Sequence, residues 1–256
     1  MKLPDFLIIG VQKGGTTSLF NYLKQHPEID LPEQKEIHFF DKHYHKGIDW
    51  YKNQFPKTPL ITGEASPYYI FHPLVPARVA KCCPDAKIIV LLRNPVDRAY
   101  SHFYMKKNRN KEPLASFEEA IAAESGRIGF DKLWVNEPDL NAQGNLQRFS
   151  YLSRGKYYSQ ITRWLKLFPV ENFLFLKSEN LFNTPQLELS RIFEFLNVKH
   201  VEIRNLAPMR QNNYPPMTAT TRSRLNAFFA PENQKLTSLL GEGFMWPEHQ
   251  TMKNGK

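Results

Sequence analysis

Nine residues near the start of this 256-residue chain have the types and spacing of a phosphate cradle: Gly10-Val11-Gln12-Lys13-Gly14-Gly15-Thr16-Thr17-Ser18. A nucleotide phosphate loop runs Gly, four residues, Gly, Lys, then Ser or Thr. Gly10 and Gly15 keep that spacing and Thr17 takes the hydroxyl position, but Thr16 replaces the lysine and the loop's own lysine comes earlier, at Lys13. The backbone logic survives the change. Glycines allow the tight turn, amide N–H groups converge, and a helix N-terminus adds its positive end. The hydroxyls of Thr16, Thr17 and Ser18 can donate to a phosphate. A glycine turn after a strand is also a common structural feature; the displaced lysine is what sharpens the reading.

Arg93 predicts a second anion site. Phosphate-loop NTPases place an acidic residue after a second strand to hold Mg²⁺, whereas here the run Lys87–Leu92 passes into Arg93. A basic residue there suits another anionic group better than a metal, so no metal is expected. The end of a parallel strand is where open α/β sheets bind ligands, although an arginine there would equally pair with a surface carboxylate. Asn94-Pro95 then opens a helix, and Ser101 adds a hydroxyl two turns in. Two anion sites on neighbouring strand ends fit a nucleotide phosphorylated at both ends of its ribose.

The elements that position these residues follow from hydrophobic patterning. Phe6–Val11 and Lys87–Leu92 are continuous apolar runs and read as buried strands, as does Asn172–Lys177. Residues 16–25 read as a helix closed by Pro27. Asn94 and Pro95 read as an N-cap and first helical residue, with Val96, Ala99, Tyr100 and Phe103 on one face. Tyr157, Ile161, Trp164, Leu165 and Phe168 mark another helix, and Leu189, Ile192, Phe193 and Leu196 a further one. Doubly buried strands alternating with helices predict an α/β fold, a central parallel sheet flanked by helices. No repeat or linker divides the chain, so a single domain over 1–256 is expected. The regions 39–60, 108–150 and 200–217 are rich in Pro, Asn, His and aromatics and read as long irregular loops, which on a rigid scaffold tend to carry function.

Composition bounds the classes available. Hydrophobic residues at 41% with charged residues at 23% exclude a disordered chain or a fibre. The run Phe6–Val11 is too short to span a bilayer and lacks the basic flank of a signal peptide, so no stable membrane insertion is expected. The net charge of +9 points to polyanionic partners or simply to a basic soluble surface. Cys82 and Cys83 are the only cysteines and are adjacent, which excludes a disulfide framework and zinc spacing and suits a reducing compartment.

The ordered set of motifs carries a resemblance. Gln12-Lys13-Gly14-Gly15-Thr16-Thr17 resembles the 5′-phosphosulfate loop of sulfotransferases that use 3′-phosphoadenosine 5′-phosphosulfate (PAPS). Arg93-Asn94-Pro95-Val96-Asp97-Arg98-Ala99-Tyr100-Ser101 resembles their 3′-phosphate motif. The segment Lys35-Glu36-Ile37-His38-Phe39-Phe40-Asp41, followed by His43 to Tyr51, resembles the heparan sulfate branch, both its N-sulfotransferase domain and its glucosaminyl 3-O-sulfotransferases. Gly155-Lys156-Tyr157-Tyr158, Trp164-Leu165, Phe168-Pro169 and Tyr214-Pro215-Pro216-Met217 extend the match, which runs from about residue 5 to 247.

This resemblance implies the P-loop-like sulfotransferase fold and transfer of a sulfuryl group from PAPS to a hydroxyl or amine by in-line displacement, leaving the 3′,5′-bisphosphate PAP. The acceptor is expected to be a glycan or a small hydroxylated or amino compound. The resemblance places Lys13 on the leaving phosphate, the loop amides with Gly14, Gly15, Thr16, Thr17 and Ser18 around the 5′-phosphate, and Arg93 and Ser101 on the 3′-phosphate. Glu36 matches the family's catalytic glutamate and is the expected general base; by residue type alone it is one carboxylate among several. His38 is the second candidate base, or a histidine packed against Phe39 and Phe40. In an extended segment Glu36 and His38 would face the same way. The family's C-terminal cofactor loop corresponds to Ala207–Asn213, which puts Arg210 near PAPS, and Tyr214 is expected to wall the adenine or the 3′-phosphate. Tyr68 and Tyr69 are acceptor-cleft or core residues.

The animal enzymes are Golgi type II membrane proteins with a C-terminal disulfide, while this chain has no cysteine after Cys83. That departure favours a free-standing bacterial, cytoplasmic enzyme, the alternative being a Golgi-lumenal catalytic domain of a longer protein. Two other functions compete. A nucleotide kinase or NTPase would need the missing acidic residue. A nucleic-acid binder would use the +9 charge and show steep salt dependence, but no nucleic-acid motif is present and none is expected as a partner. The run Lys106, Lys107, Arg109 and Lys111 reads either as a glycan contact or as a solvated helix end.

Overall fold

The structure is a computed structural model and describes residues 2–128, 140–207 and 214–246. It divides into two compact units: Met1–Arg93 with Gln160–Gln211, and Asn94–Ser159 with Asn212–Lys256.

The first unit contains the whole sheet. Its strands are β1 (Phe6–Gly10), β2 (Gly63–Ala65), β3 (Lys87–Leu92) and β4 (Phe173–Lys177), in the order β2-β1-β3-β4. Every pairing is parallel. β1 is fully buried along its length and β3 from Ile88 to Leu92, the expected state of central strands covered on both faces. Helix α1 (Thr16–Leu23) follows β1, and α10 (Pro185–Leu196) follows β4 and the short α9 (Ser178–Asn183). Leu19, Phe20 and Leu23 of α1 share one apolar cluster with Ile8, Ile89, Leu189, Ile192 and Phe193. Helix α3 (Val75–Cys82) leads towards β3. The α/β expectation and the parallel sheet flanked by helices therefore hold. The predicted Phe6–Val11 and Asn172–Lys177 strands are each one residue shorter, and the predicted 16–25 helix stops at Leu23.

The second unit is helical among the described residues. Helix α4 (Pro95–Lys107) is capped as its sequence dictates: the Asn94 side chain accepts from the backbone N–H of Val96 and Asp97 at 2.9 and 3.2 Å. Regions read as irregular contain helices. Residues 108–150 hold α5 (Phe117–Ala122), α6 (Glu124–Ile128) and α7 (Leu140–Phe149); in the first unit, 39–60 holds α2 (Ile48–Lys52). The α5 start was legible: Ser116 and Glu119 form a reciprocal capping box. Helix α8 spans Tyr157–Leu165, and α11 runs from Ala219 to Leu240 through Pro231. A proline inside a helix ordinarily stops or kinks it, which is why α11 escapes a reading by breakers. β2 is only three residues long and centres on a glutamate, too short and too polar to stand out.

Candidate functional site

The loop after β1 and the end of β3 are built against each other. The Val11 N–H donates to the Leu91 carbonyl at 2.8 Å, and the Gly14 N–H turns back onto Val11 at 2.9 Å. Gly14 has no room for a side chain: a Cβ there would lie 2.7 Å from the Leu91 oxygen. Gly15 is the N-cap of α1 with φ +94°, a left-handed conformation that favours glycine. Lys13 is left-handed as well, at φ 73°. Two contacts clamp the turn: Arg93 Nη1 donates to the Lys13 carbonyl at 2.9 Å, and Ser178 Oγ donates to the Gly14 carbonyl at 2.8 Å. Arg93 and Ser178 each follow a strand directly, β3 and β4 respectively. Ser178 was not anticipated; its place one residue past a buried strand was the available signal.

These residues fit an anionic phosphate. A glycine N-cap supplies no side-chain acceptor, and the first turn of α1 holds no acidic residue, so the amides at the start of α1 have no competing anion of their own. Thr16 and Ser18 are buried and Thr17 is half-buried. Ser18 is engaged with Tyr22 along the helix.

Glu36 and His38 come together, by a different route from the one expected. The segment is not extended: Glu36 has φ 65° and His38 φ 56°, both left-handed. His38 Nε2 lies 3.4 Å from Glu36 Oε2, and His38 Nδ1 lies 2.8 Å from Asp41 Oδ2. Lys35 Nζ donates to Glu36 Oε1 at 2.9 Å. The Asp41 side chain is only 1% exposed while that of Glu36 is 39% exposed, so of the two carboxylates on His38 it is Glu36 that can meet a molecule from solvent. Asp41 was missed as a site residue; it sits in a short π-helical turn, Phe39–His43, whose spacing no helix or strand pattern reveals.

The electrostatics follow from these contacts. Burial pushes the Glu36 carboxyl up, but the His38 hydrogen bond and Lys35 outweigh it and hold the group at about 2. Burial pulls His38 down, yet its hydrogen bonds to Asp41 and Glu36 and the charge of Asp41 lift it to about 9. Between those values Glu36 is a carboxylate and His38 an imidazolium, which reaches Glu36 through Nε2 and Asp41 through Nδ1. His38 is thus not the simple core histidine of the alternative reading.

In the second unit, Ser101 is buried on α4. Asp97 pairs with Arg222 at 2.7 Å. Arg98 is fully buried and donates to the Tyr151 carbonyl. Tyr214 stacks on Tyr104 with centroids 4.9 Å apart and meets Tyr100 edge-on at 5.4 Å. In the basic run, Lys107 Nζ donates to the Leu114 carbonyl at 2.8 Å. Burial, then the charges of Arg154, Arg109, Lys111 and Arg148, push Lys106 down to about 7. Arg210 lies outside the described residues. In the first unit Tyr68 and Tyr69 are buried, as core residues are. Among the described residues no helix is long and apolar enough to cross a membrane.

The chain as a whole is similar to known proteins. The family model of the sulfotransferase domain matches residues 3–232. The chain is 31% identical over 272 residues to heparan sulfate glucosamine 3-O-sulfotransferase 6 of Mus musculus, covering 96% of this chain and 74% of that protein. It is 28% identical to the membrane-associated sulfotransferase kil1 of Dictyostelium discoideum, covering 95% of this chain and 66% of that protein. A sulfotransferase structure from Alicyclobacillus acidocaldarius superposes with a TM-score of 0.79 at 30% identity, covering 94% of this chain and 96% of that one.

Proposed function

Because this chain belongs to the sulfotransferase domain family, we propose that it transfers the sulfuryl group of PAPS to a hydroxyl or amine on a carbohydrate-like acceptor, with Glu36 as general base and Lys13 on the leaving phosphate. One observation supports this reading most directly: Arg93, in the position where an NTPase keeps its metal-binding acid, is hydrogen-bonded to the carbonyl of Lys13 in the phosphate loop. Two cationic residues therefore belong to adjoining strand ends.

PAPS supplies an activated sulfuryl group on a phosphosulfate anhydride, so the protein's work is positioning and charge stabilisation. The amides of the Gly14–Thr17 turn with the Thr16 and Thr17 hydroxyls bind the 5′-phosphate, and Lys13 neutralises charge gathering there. Arg93 and Ser101 bind the 3′-phosphate, with Tyr214 and Arg210 completing the donor side. Glu36 accepts the acceptor's proton at its half-exposed carboxylate. His38 orients that carboxylate and is itself held by Asp41. The glycan class of acceptor rests on the 3-O-sulfotransferase relatives.

Incubation with labelled PAPS and a panel of glycans and hydroxylated or amino metabolites tests the reading. Label should pass to at least one acceptor, and transfer should survive excess EDTA, since Arg93 replaces the acid that Mg²⁺ would need. Collapse with EDTA and recovery with Mg²⁺ would favour phosphoryl chemistry instead. The 3′-phosphate assignment has its own measurement. PAP should raise the melting temperature more than ADP, because only PAP carries the 3′-phosphate and a tighter ligand stabilises more by mass action. Arg93→Ala should erase most of that difference, about 1.5–3 kcal/mol for a charge-assisted contact. Equal shifts with the two nucleotides in the unaltered protein would remove the assignment.

A further inference from the structure

Glu64 lies at the centre of β2, is 1% exposed, and has been given no role above. Three hydroxyls converge on it. Tyr51 and Tyr69 donate to Oε1 at 2.6 and 2.9 Å, and Ser66 donates to Oε2 at 2.6 Å. Two of those hydroxyls are also acceptors. Ser66 Oγ accepts the backbone N–H of His38 at 3.2 Å, and the Tyr69 oxygen accepts the backbone N–H of Phe40 at 3.3 Å.

A hydroxyl has one proton. With that proton directed at a Glu64 side-chain oxygen, its lone pairs are left for the amide on the other side. The direction matters here because the amides belong to the strained part of the chain. Left-handed backbone at Glu36 and His38 persists only where the surroundings over-determine it. The segment has further holds: Arg78 Nη1 donates to the Phe40 carbonyl at 2.5 Å, and Phe39 stacks on Tyr51 with centroids 4.3 Å apart. We propose that Glu64 is a positioning residue for the Glu36–His38 pair, acting through the Ser66 and Tyr69 hydroxyls to fix the 36–40 backbone so that His38 bridges Glu36 and Asp41. This rests on the reading that Glu36 and His38 face the acceptor.

Titration of His38 provides a readout independent of turnover. Its charged neighbours are Glu36, Asp41, Lys42 and His43 on its own segment and Glu64 on β2. The midpoint, read by NMR on the full chain without donor or acceptor, is expected at about 9 in the unaltered protein. In Ser66→Ala, which deletes one oxygen, and in Glu64→Gln, which leaves a hydroxyl without its acceptor, the midpoint should fall towards the ordinary value of about 6.5. Turnover should drop at least about tenfold, one decade of rate, with KM for PAPS unchanged. Ser66→Thr, which keeps the hydroxyl, should restore both. Tyr51→Phe removes a donor to Glu64 that makes no bond to the 36–40 amides, and should lower the melting temperature while leaving the His38 midpoint in place. If Ser66→Ala lowers the melting temperature but leaves midpoint and turnover within twofold of wild type, Glu64 is only a core residue and the proposal is overturned. A shifted midpoint with unchanged turnover supports the positioning role and instead overturns the placement of Glu36 and His38 at the acceptor. Should Glu64→Gln fail to fold, the two Ser66 variants carry the test.

Discussion

Glu36→Gln should reduce sulfuryl transfer by about 10²–10⁴-fold, the range for loss of a general base, and leave PAP affinity nearly unchanged in calorimetry. The glutamine keeps size and shape but cannot take the acceptor's proton, and the residue lies on the His38–Asp41 segment rather than in the phosphate loop. The structure also changes the pH dependence that a catalytic glutamate would suggest. An ordinary glutamate would bend the profile near about 4.3. Here Lys35 and His38 hold Glu36 at about 2, so the base is ionised throughout the usual assay range and its acid limb is displaced downwards. The limb to look for lies near 9, where His38 loses its proton. A neutral imidazole has one N–H for two carboxylates. Buried Asp41, at 2.8 Å, should keep it, and Glu36, at 3.4 Å, should lose it. Turnover is therefore expected to fall as pH rises through about 9. In His38→Gln the Glu36 limb should climb back towards the ordinary range. Retention of more than about a tenth of wild-type turnover by Glu36→Gln, less than one decade lost, would show that Glu36 is not the base and make His38 the next residue to replace.

Lys13→Ala should lower turnover by about 10²–10³-fold, the usual loss for one charge-stabilising donor, and unlike Glu36→Gln it should also weaken PAP. The lysine is carried on a left-handed residue whose carbonyl is tied to Arg93. Removing its side chain takes away charge while the turn stays clamped by Arg93 and Ser178. The loss should accordingly appear in binding and turnover with little change in melting temperature of the free protein. Unaltered turnover would remove Lys13 from the leaving phosphate and return that role to the amides and threonine hydroxyls of the loop.

How much of this was legible in the residues varies by element. The β1 and β3 runs, the Asn94 cap and the glycine turn all depend on neighbours in sequence, and each appears where patterning puts it. Helices α5 and α11 were missed for opposite reasons: one is short and announced only by its capping box, the other is long but carries Pro231. For the candidate site, the family resemblance singled out Glu36, with His38 two residues on; an extended segment would have faced them the same way, but the segment is not extended. Left-handed backbone at both positions and a π-helical turn bring Glu36, His38 and Asp41 together.

The chain by itself determined the alternation of buried strands with helices, the glycine-lysine-threonine turn after the first strand, and the replacement of an acid by Arg93, since local geometry and burial are written in residue type and period. Tertiary structure decided which strand ends adjoin. The order β2-β1-β3-β4 sets Lys13 beside Arg93, eighty positions away in sequence, and sets Ser66 and Tyr69 behind the 36–40 segment. It also decided the protonation of the site. A carboxylate held at about 2 and an imidazole lifted to about 9 arise from side chains brought within hydrogen-bond reach in a partly desolvated place, and the strength of such pairs depends on distance and burial, neither of which residue identity contains.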